Sequence, residues 1–145
     1  AASLGFVIWN VPPARIFMGD VGSHYLGLFF GWVALTGTIH GVPVYLTLLP
    51  LGPFLFDASY TILRRVIRRE NITRAHRFHL YQRLFRSGWS PIFVDGVYVV
   101  WTAICGAAAV TLQSGQVTWL AMSVAYTIVL TAFVEVRWAR TEEDQ

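Results

Sequence analysis

The chain is 145 residues long, 55% apolar and only 13% charged, with a mean hydropathy of +0.53, where a soluble domain is about a quarter charged. Those values exclude a disordered chain and a water-soluble globule, and make lipid the expected solvent for most of the surface. All eleven basic residues are arginine, and eight of them (Arg64, Arg65, Arg68, Arg69, Arg74, Arg77, Arg83 and Arg86) fall within 64–86, so the net charge of +3 hides a concentrated basic patch. The one cysteine, Cys105, cannot form an internal disulfide and gives no reading of the redox compartment.

In chain order, the first apolar run, 4–9, is too short to span a membrane and lacks the basic flank of a signal peptide. It reads as the tail of a helix that begins before Ala1. Four blocks then reach the roughly 20 apolar residues needed to cross a hydrocarbon core of about 30 Å: 21–39, 42–63, 92–112 and 117–136. Only His40-Gly41 separates the first two blocks, and Gln113-Ser114-Gly115-Gln116 the last two, so each pair is predicted to be a tight helical hairpin. Pro50 and Pro53 fall inside the second block, where each removes a backbone hydrogen bond and clashes one turn back. A kink is expected near 46–49. The remaining connection, 64–91, is long, polar and basic.

The expected fold is therefore all-α, a polytopic helical membrane protein with four transmembrane helices plus the end of a fifth. Short arginine-rich loops stay in the cytoplasm, which places 64–91 there. Arg137, Arg140, the acidic tail 141–145 and the 10–20 segment fall on the same side. Every cluster of charge then lies on one face of the membrane, and chemistry is expected there.

Three constellations stand out. In Asn10-Val11-Pro12-Pro13-Ala14-Arg15-Ile16-Phe17-Met18-Gly19-Asp20-Val21-Gly22-Ser23, Asp20 is placed either to cap a helix starting at Val21 or to hold a hard divalent cation bridging to phosphate oxygens. In Arg74-Ala75-His76-Arg77-Phe78-His79-Leu80-Tyr81-Gln82-Arg83, His76, His79 and Arg83 share one face if the segment is helical. Such a face suits a diphosphate, or equally a surface helix lying on anionic lipid. Asp57 sits inside an apolar span, a functional hypothesis by default, or else a carboxylate neutralised by an arginine of the stripe Asp57, Thr61, Arg64, Arg68. Asp95 and Glu135 receive no special role. His24 and His40 read as interfacial, and the six tryptophans mostly as interfacial belts.

The pattern Asn10-x-Pro12-Pro13-Ala14-x-x-Phe17-Met18-Gly19-Asp20-x-Gly22-Ser23 resembles the signature of the polyprenyl-phosphate N-acetylhexosamine-1-phosphate transferases, glycosyltransferase family 4. This superfamily includes phospho-N-acetylmuramoyl-pentapeptide transferase. Pro53 to Asp57 followed by Arg64-Arg65 is similar to the same family. The basic loop corresponds to the family's Asp-Arg-x-His-x-His-His motif. Arg77 and His79 match it, whereas His76 stands at the acidic position, and Tyr81 and Gln82 replace the later histidines. That form resembles the subgroup that starts O-antigen or other surface-polysaccharide synthesis, and it argues against the cell-wall pentapeptide enzyme.

The resemblance implies transfer of a sugar-1-phosphate from a UDP-N-acetylhexosamine-type donor to undecaprenyl phosphate, with release of UMP, at the cytoplasmic face of a bacterial inner membrane. It implies Mg²⁺, with Mn²⁺ as a substitute, held by Asp20. Arg77 and His79 are then catalytic, and Asn10, Arg64, Arg65, His76 and Asp57 bind substrate. The implied partners are the UDP-sugar, undecaprenyl phosphate and membrane lipid, with no nucleic acid, and a homodimer is left open. The resemblance covers only the C-terminal half of the family, whose N-terminal half carries an Asp-Asp motif. No such pair stands here outside the acidic tail, so the chain alone is expected to be inactive. The alternative is a non-catalytic four-span scaffold or transporter part whose arginine loop binds anionic lipid.

Overall fold

The computed structural model describes residues 2–11, 14–69 and 79–143, and every regular element in them is helical. The chain divides into two units, Ala1–Leu48 and Leu49–Gln145.

The first unit holds α1 (Ala2–Asn10), α2 (Gly19–Ile39) and α3 (Tyr45–Leu48). α1 covers the first apolar run. α2 starts at Gly19, two residues before the expected Val21, and Gly19 takes a left-handed φ of +64° that a residue with a Cβ adopts at a cost. It stops at His40, where Gly41 is left-handed at +80°. The Gly41 N–H donates to Thr38 O at 3.0 Å, and Val42 N–H donates to Gly37 O at 2.9 Å. Those two bonds satisfy carbonyls that the helix end would leave open, and they form the predicted first hairpin turn. No residue of the three helices is buried.

The second unit opens on a 3₁₀ turn, Leu49–Leu51, followed by α4 (Gly52–Ile67), α5 (Leu80–Arg86), α6 (Pro91–Leu112) and α7 (Thr118–Glu143). The turn lies where the two prolines strike. Pro50 falls within it and Pro53 in the first turn of α4, where a missing N–H is tolerated. α6 begins at a Ser-Pro pair. Ser90 Oγ accepts from Phe93 N–H at 3.3 Å and Pro91 occupies the first helical position.

Among the described residues three helices are long and apolar enough to cross a membrane: Tyr45–Ile67, counted through its 3₁₀ turn, Pro91–Leu112 and Thr118–Arg140. α2, 21 residues long, is not among them, where the sequence leads to the expectation of four spans. α6 and α7 form the second predicted hairpin, α4 packs on α6, and α5 lies against both α6 and α7.

The core is built from Leu80 and Leu84 of α5, Val94, Tyr98, Trp101 and Cys105 of α6, and Leu130 and Val134 of α7. Trp101, expected in an interfacial belt, is instead 1% exposed, with its ring beside those of Tyr98, Phe56 and Tyr126. A side chain that large is placed by helix packing, whatever its preference for an interface. Outward-facing residues such as Val99, Val110, Ile128 and Val129 are apolar and exposed, as a surface solvated by lipid requires.

Candidate functional site

Two carboxylates organise the polar end of the second unit. Asp57 stands one turn into α4 and is 4% exposed. Its Oδ2 accepts from Tyr98 Oη–H at 2.8 Å. Its Oδ1 accepts from Leu80 N–H at 2.8 Å and from Thr61 Oγ1–H at 3.3 Å, and lies 3.4 Å from His79 Nδ1. A buried carboxylate is tolerated only where its lone pairs are taken, and here both oxygens are.

Glu135, on α7, is the second. Its two oxygens accept the fork of Arg83, Nη1 to Oε1 at 2.5 Å and Nη2 to Oε2 at 2.9 Å. Tyr60 Oη–H donates to Oε1 at 2.6 Å, and Arg64 Nε lies 3.4 Å from the same atom. Arg83 is 1% exposed, and its guanidinium sits 5.2 Å from the ring centre of Trp138.

The stripe expected along α4 is therefore split. Asp57 with Thr61, and Tyr60 with Arg64, are two pairs four residues apart on adjacent faces, each turned to a different partner. The structure corrects the idea that an arginine of this stripe neutralises Asp57, since its partners are a tyrosine, a threonine, a backbone N–H and a histidine. It also corrects the shared helical face of His79 and Arg83. His79 has an extended backbone, φ −60° and ψ 155°, and stands just before α5, with its N–H donating to Gln82 Oε1 at 3.2 Å. Arg83 is spent on Glu135. His76 and Arg77 lie outside the described residues.

Arg64 and Arg65, neighbours in sequence, are turned about 100° apart on α4. Arg64 faces Glu135, and Arg65 is 7% exposed. Glu135 is the residue that sequence reasoning passed over. The signal was available, because an ionisable group inside an apolar span is costly whichever span carries it.

Asp20 differs in every respect. It does not cap α2, which starts at Gly19 with no side-chain bond at its first residue. It lies in the first turn, is exposed, and its carboxylate meets no hydrogen-bond partner among the described residues. Its backbone carbonyl is the acceptor for Ser23 Oγ–H at 3.0 Å and lies 2.6 Å from His24 Nδ1. Asn10, the last residue of α1, is exposed too.

Among the described residues no three His, Cys, Asp or Glu side chains gather as a metal cage. Mg²⁺ does not need one, because it keeps several waters and takes one or two carboxylates plus substrate phosphates. The open carboxylate of Asp20 fits that donor set as a single protein ligand.

Comparison with known proteins adds to this geometry. Residues 1–38 match glycosyl transferase family 4. A protein of Bacillus subtilis (strain 168) named "Probable undecaprenyl-phosphate N-acetylglucosaminyl 1-phosphate transferase" is 30% identical over 133 residues, 90% of this chain and 37% of that protein. The phospho-N-acetylmuramoyl-pentapeptide-transferase of Mycobacterium avium (strain 104) is 32% identical over 121 residues, 83% of this chain and 32% of its own. That of Saccharopolyspora erythraea is 30% identical over 125 residues, 85% of this chain and 33% of its own. The chain thus spans about a third of the length of the curated relatives it matches. No solved structure matches.

Proposed function

The chain belongs to glycosyl transferase family 4, and from that premise we propose that it is part of a multi-pass membrane enzyme that moves a sugar-1-phosphate from a UDP-N-acetylhexosamine-type donor to undecaprenyl phosphate. UMP is released, and the lipid-linked sugar starts an O-antigen or another surface glycan. The observation that supports this most is Asp20, an exposed carboxylate in the first turn of α2 with no partner among the described residues, inside the stretch that matches the family.

In the proposed reaction an oxygen of the lipid phosphate attacks the β-phosphorus of the nucleotide sugar. The bond from that phosphorus to the α–β bridging oxygen breaks, and UMP leaves with the electron pair. The nucleophile needs no dedicated base, since a phosphate monoester with a second pKa of about 6 is largely ionised near neutral pH. Asp20 would hold Mg²⁺, which when bound supplies charge neutralisation to the diphosphate. Arg77 and His79 would contact the diphosphate or the sugar, and Asn10 and His76 would help shape the substrate site. Arg64 and Arg65 would neutralise lipid or nucleotide phosphate, and positioning together with that neutralisation would provide most of the acceleration. In this reading the polar end faces the cytoplasm of a bacterium, because 64–91 is the arginine-rich loop.

The test uses membranes containing the gene-length protein. Exchange of labelled UMP into UDP-sugar should require Mg²⁺ and fall by about 10³-fold in Asp20→Asn, the scale on which loss of a charge-stabilising group acts. Exchange that persists in that variant refutes the role given to Asp20.

A further inference from the structure

The transferase reading leaves Glu135 without a task, yet Glu135 takes the side chains of Arg83 and Tyr60 and stands 3.4 Å from Arg64 Nε. We propose that Glu135, with Asp57 as its companion, is a positioning residue: two carboxylates on separate spans grip the arginine loop where it returns to the membrane and fix the place of His79. The catalytic consequence rests on the transferase reading; the gripping itself rests on geometry alone.

The grip acts at both ends of a single helical turn. At its C-terminal end Arg83 is 1% exposed. A guanidinium taken out of water loses several kcal/mol unless its charge and donors are met. Glu135 meets the charge and takes one N–H from each Nη bidentately, a geometrically strict arrangement for an arginine, while Nε is buried without a partner among the described residues. The indole of Trp138 lies beside the guanidinium.

At the N-terminal end Asp57 takes the N–H of Leu80, the first residue after His79. The turn is closed by Arg83 N–H donating to His79 O at 3.0 Å. His79 is thereby joined through one backbone hydrogen bond to a residue that has a single satisfied position. Leu80 and Leu84, 0% and 2% exposed, add apolar contact beneath the same turn. A basic loop held only by attraction to anionic lipid has no use for a fully buried arginine, since exposed ones serve that purpose. Burial with exact pairing selects one register.

A turn free to sample other placements would carry His79 in its reacting position for a smaller fraction of the time. That loss appears in kcat, with KM little changed. In the gene-length protein in membranes, Glu135→Gln should lower kcat for UMP release by about tenfold, the size expected for misplacement of one group. KM for the nucleotide sugar should move by less than about threefold, and Glu135→Asp should recover part of kcat.

A nitroxide on Phe85→Cys, in an otherwise cysteine-free background, reads the grip independently of activity. Its spectrum should be immobile in the parent and gain a mobile component in Glu135→Gln. The proposal is overturned by a kcat within about twofold of the parent, by a loss carried wholly in KM, or by an unchanged nitroxide spectrum. If Glu135→Gln does not accumulate, Tyr60→Phe removes one donor to Glu135 without touching a charge, and carries the same expectations at about threefold in kcat. If the parent itself shows no transfer, the transferase reading fails, and the nitroxide still decides whether Glu135 holds the turn.

Discussion

The surroundings of Asp20 and those of Asp57 and Glu135 are opposites built from the same functional group. Asp20 is exposed in the first turn of a helix and its carboxylate meets no partner among the described residues. Asp57 and Glu135 have every oxygen occupied, by Tyr98, Leu80 and Thr61 in one case and by Arg83 and Tyr60 in the other. A carboxylate in a low-dielectric setting that is saturated by its own chain has become architecture, because opening it to a ligand means breaking bonds that are expensive to leave unmade. A carboxylate held open at a water-facing helix end loses nothing by taking a cation. The proposed chemistry uses the residue with the fewest contacts, and the proposed placement those with the most.

That contrast is broken or sharpened by three measurements of stability in detergent, ordered by size. Arg83→Leu removes the fork from Glu135, which is one-third exposed and keeps Tyr60 and Arg64, and should cost about 2 kcal/mol, the scale of hydrogen bonds to a charged group. A loss below about 1 kcal/mol would put the pair among those surface contacts that contribute little. Tyr98→Phe removes one of the donors to Asp57 and keeps the ring in the core, so about 1 to 2 kcal/mol is expected. The fall should be accompanied by faster hydrogen exchange at the Leu80 amide, which shares that carboxylate. Asp20→Ala should leave the thermal midpoint where it was, the usual outcome for an exposed side chain away from any network. A clear drop in that variant would mean that Asp20 is structural after all.

Much of the architecture was legible in the amino-acid order because lipid imposes a simple rule: apolar blocks of sufficient length become helices with their backbone groups paired internally. The turn at His40-Gly41, the α6–α7 hairpin, the break at Pro50 and Pro53, and the helix start at Ser90-Pro91 all follow from local chemistry. The signature around Asp20 was likewise legible, since its glycines, prolines and acid lie consecutively.

The partners of Asp57 and Glu135 were not. Asp57 and Tyr98 are 41 residues apart, Arg83 and Glu135 are 52, and Tyr60 and Glu135 are 75. No periodicity within one helix encodes such pairs. A stripe on α4 showed that Asp57 and Arg64 were near one another, but their different neighbours depend on α5, α6 and α7 arriving from elsewhere in the chain. The sequence by itself determined that the chain crosses a membrane, that eight of its eleven arginines cluster within 64–86, and that Asp20 sits at a helix start. Only the tertiary structure decided which carboxylate stays open and which are consumed, because that depends on donors brought together by packing, and packing is where distant parts of a chain meet.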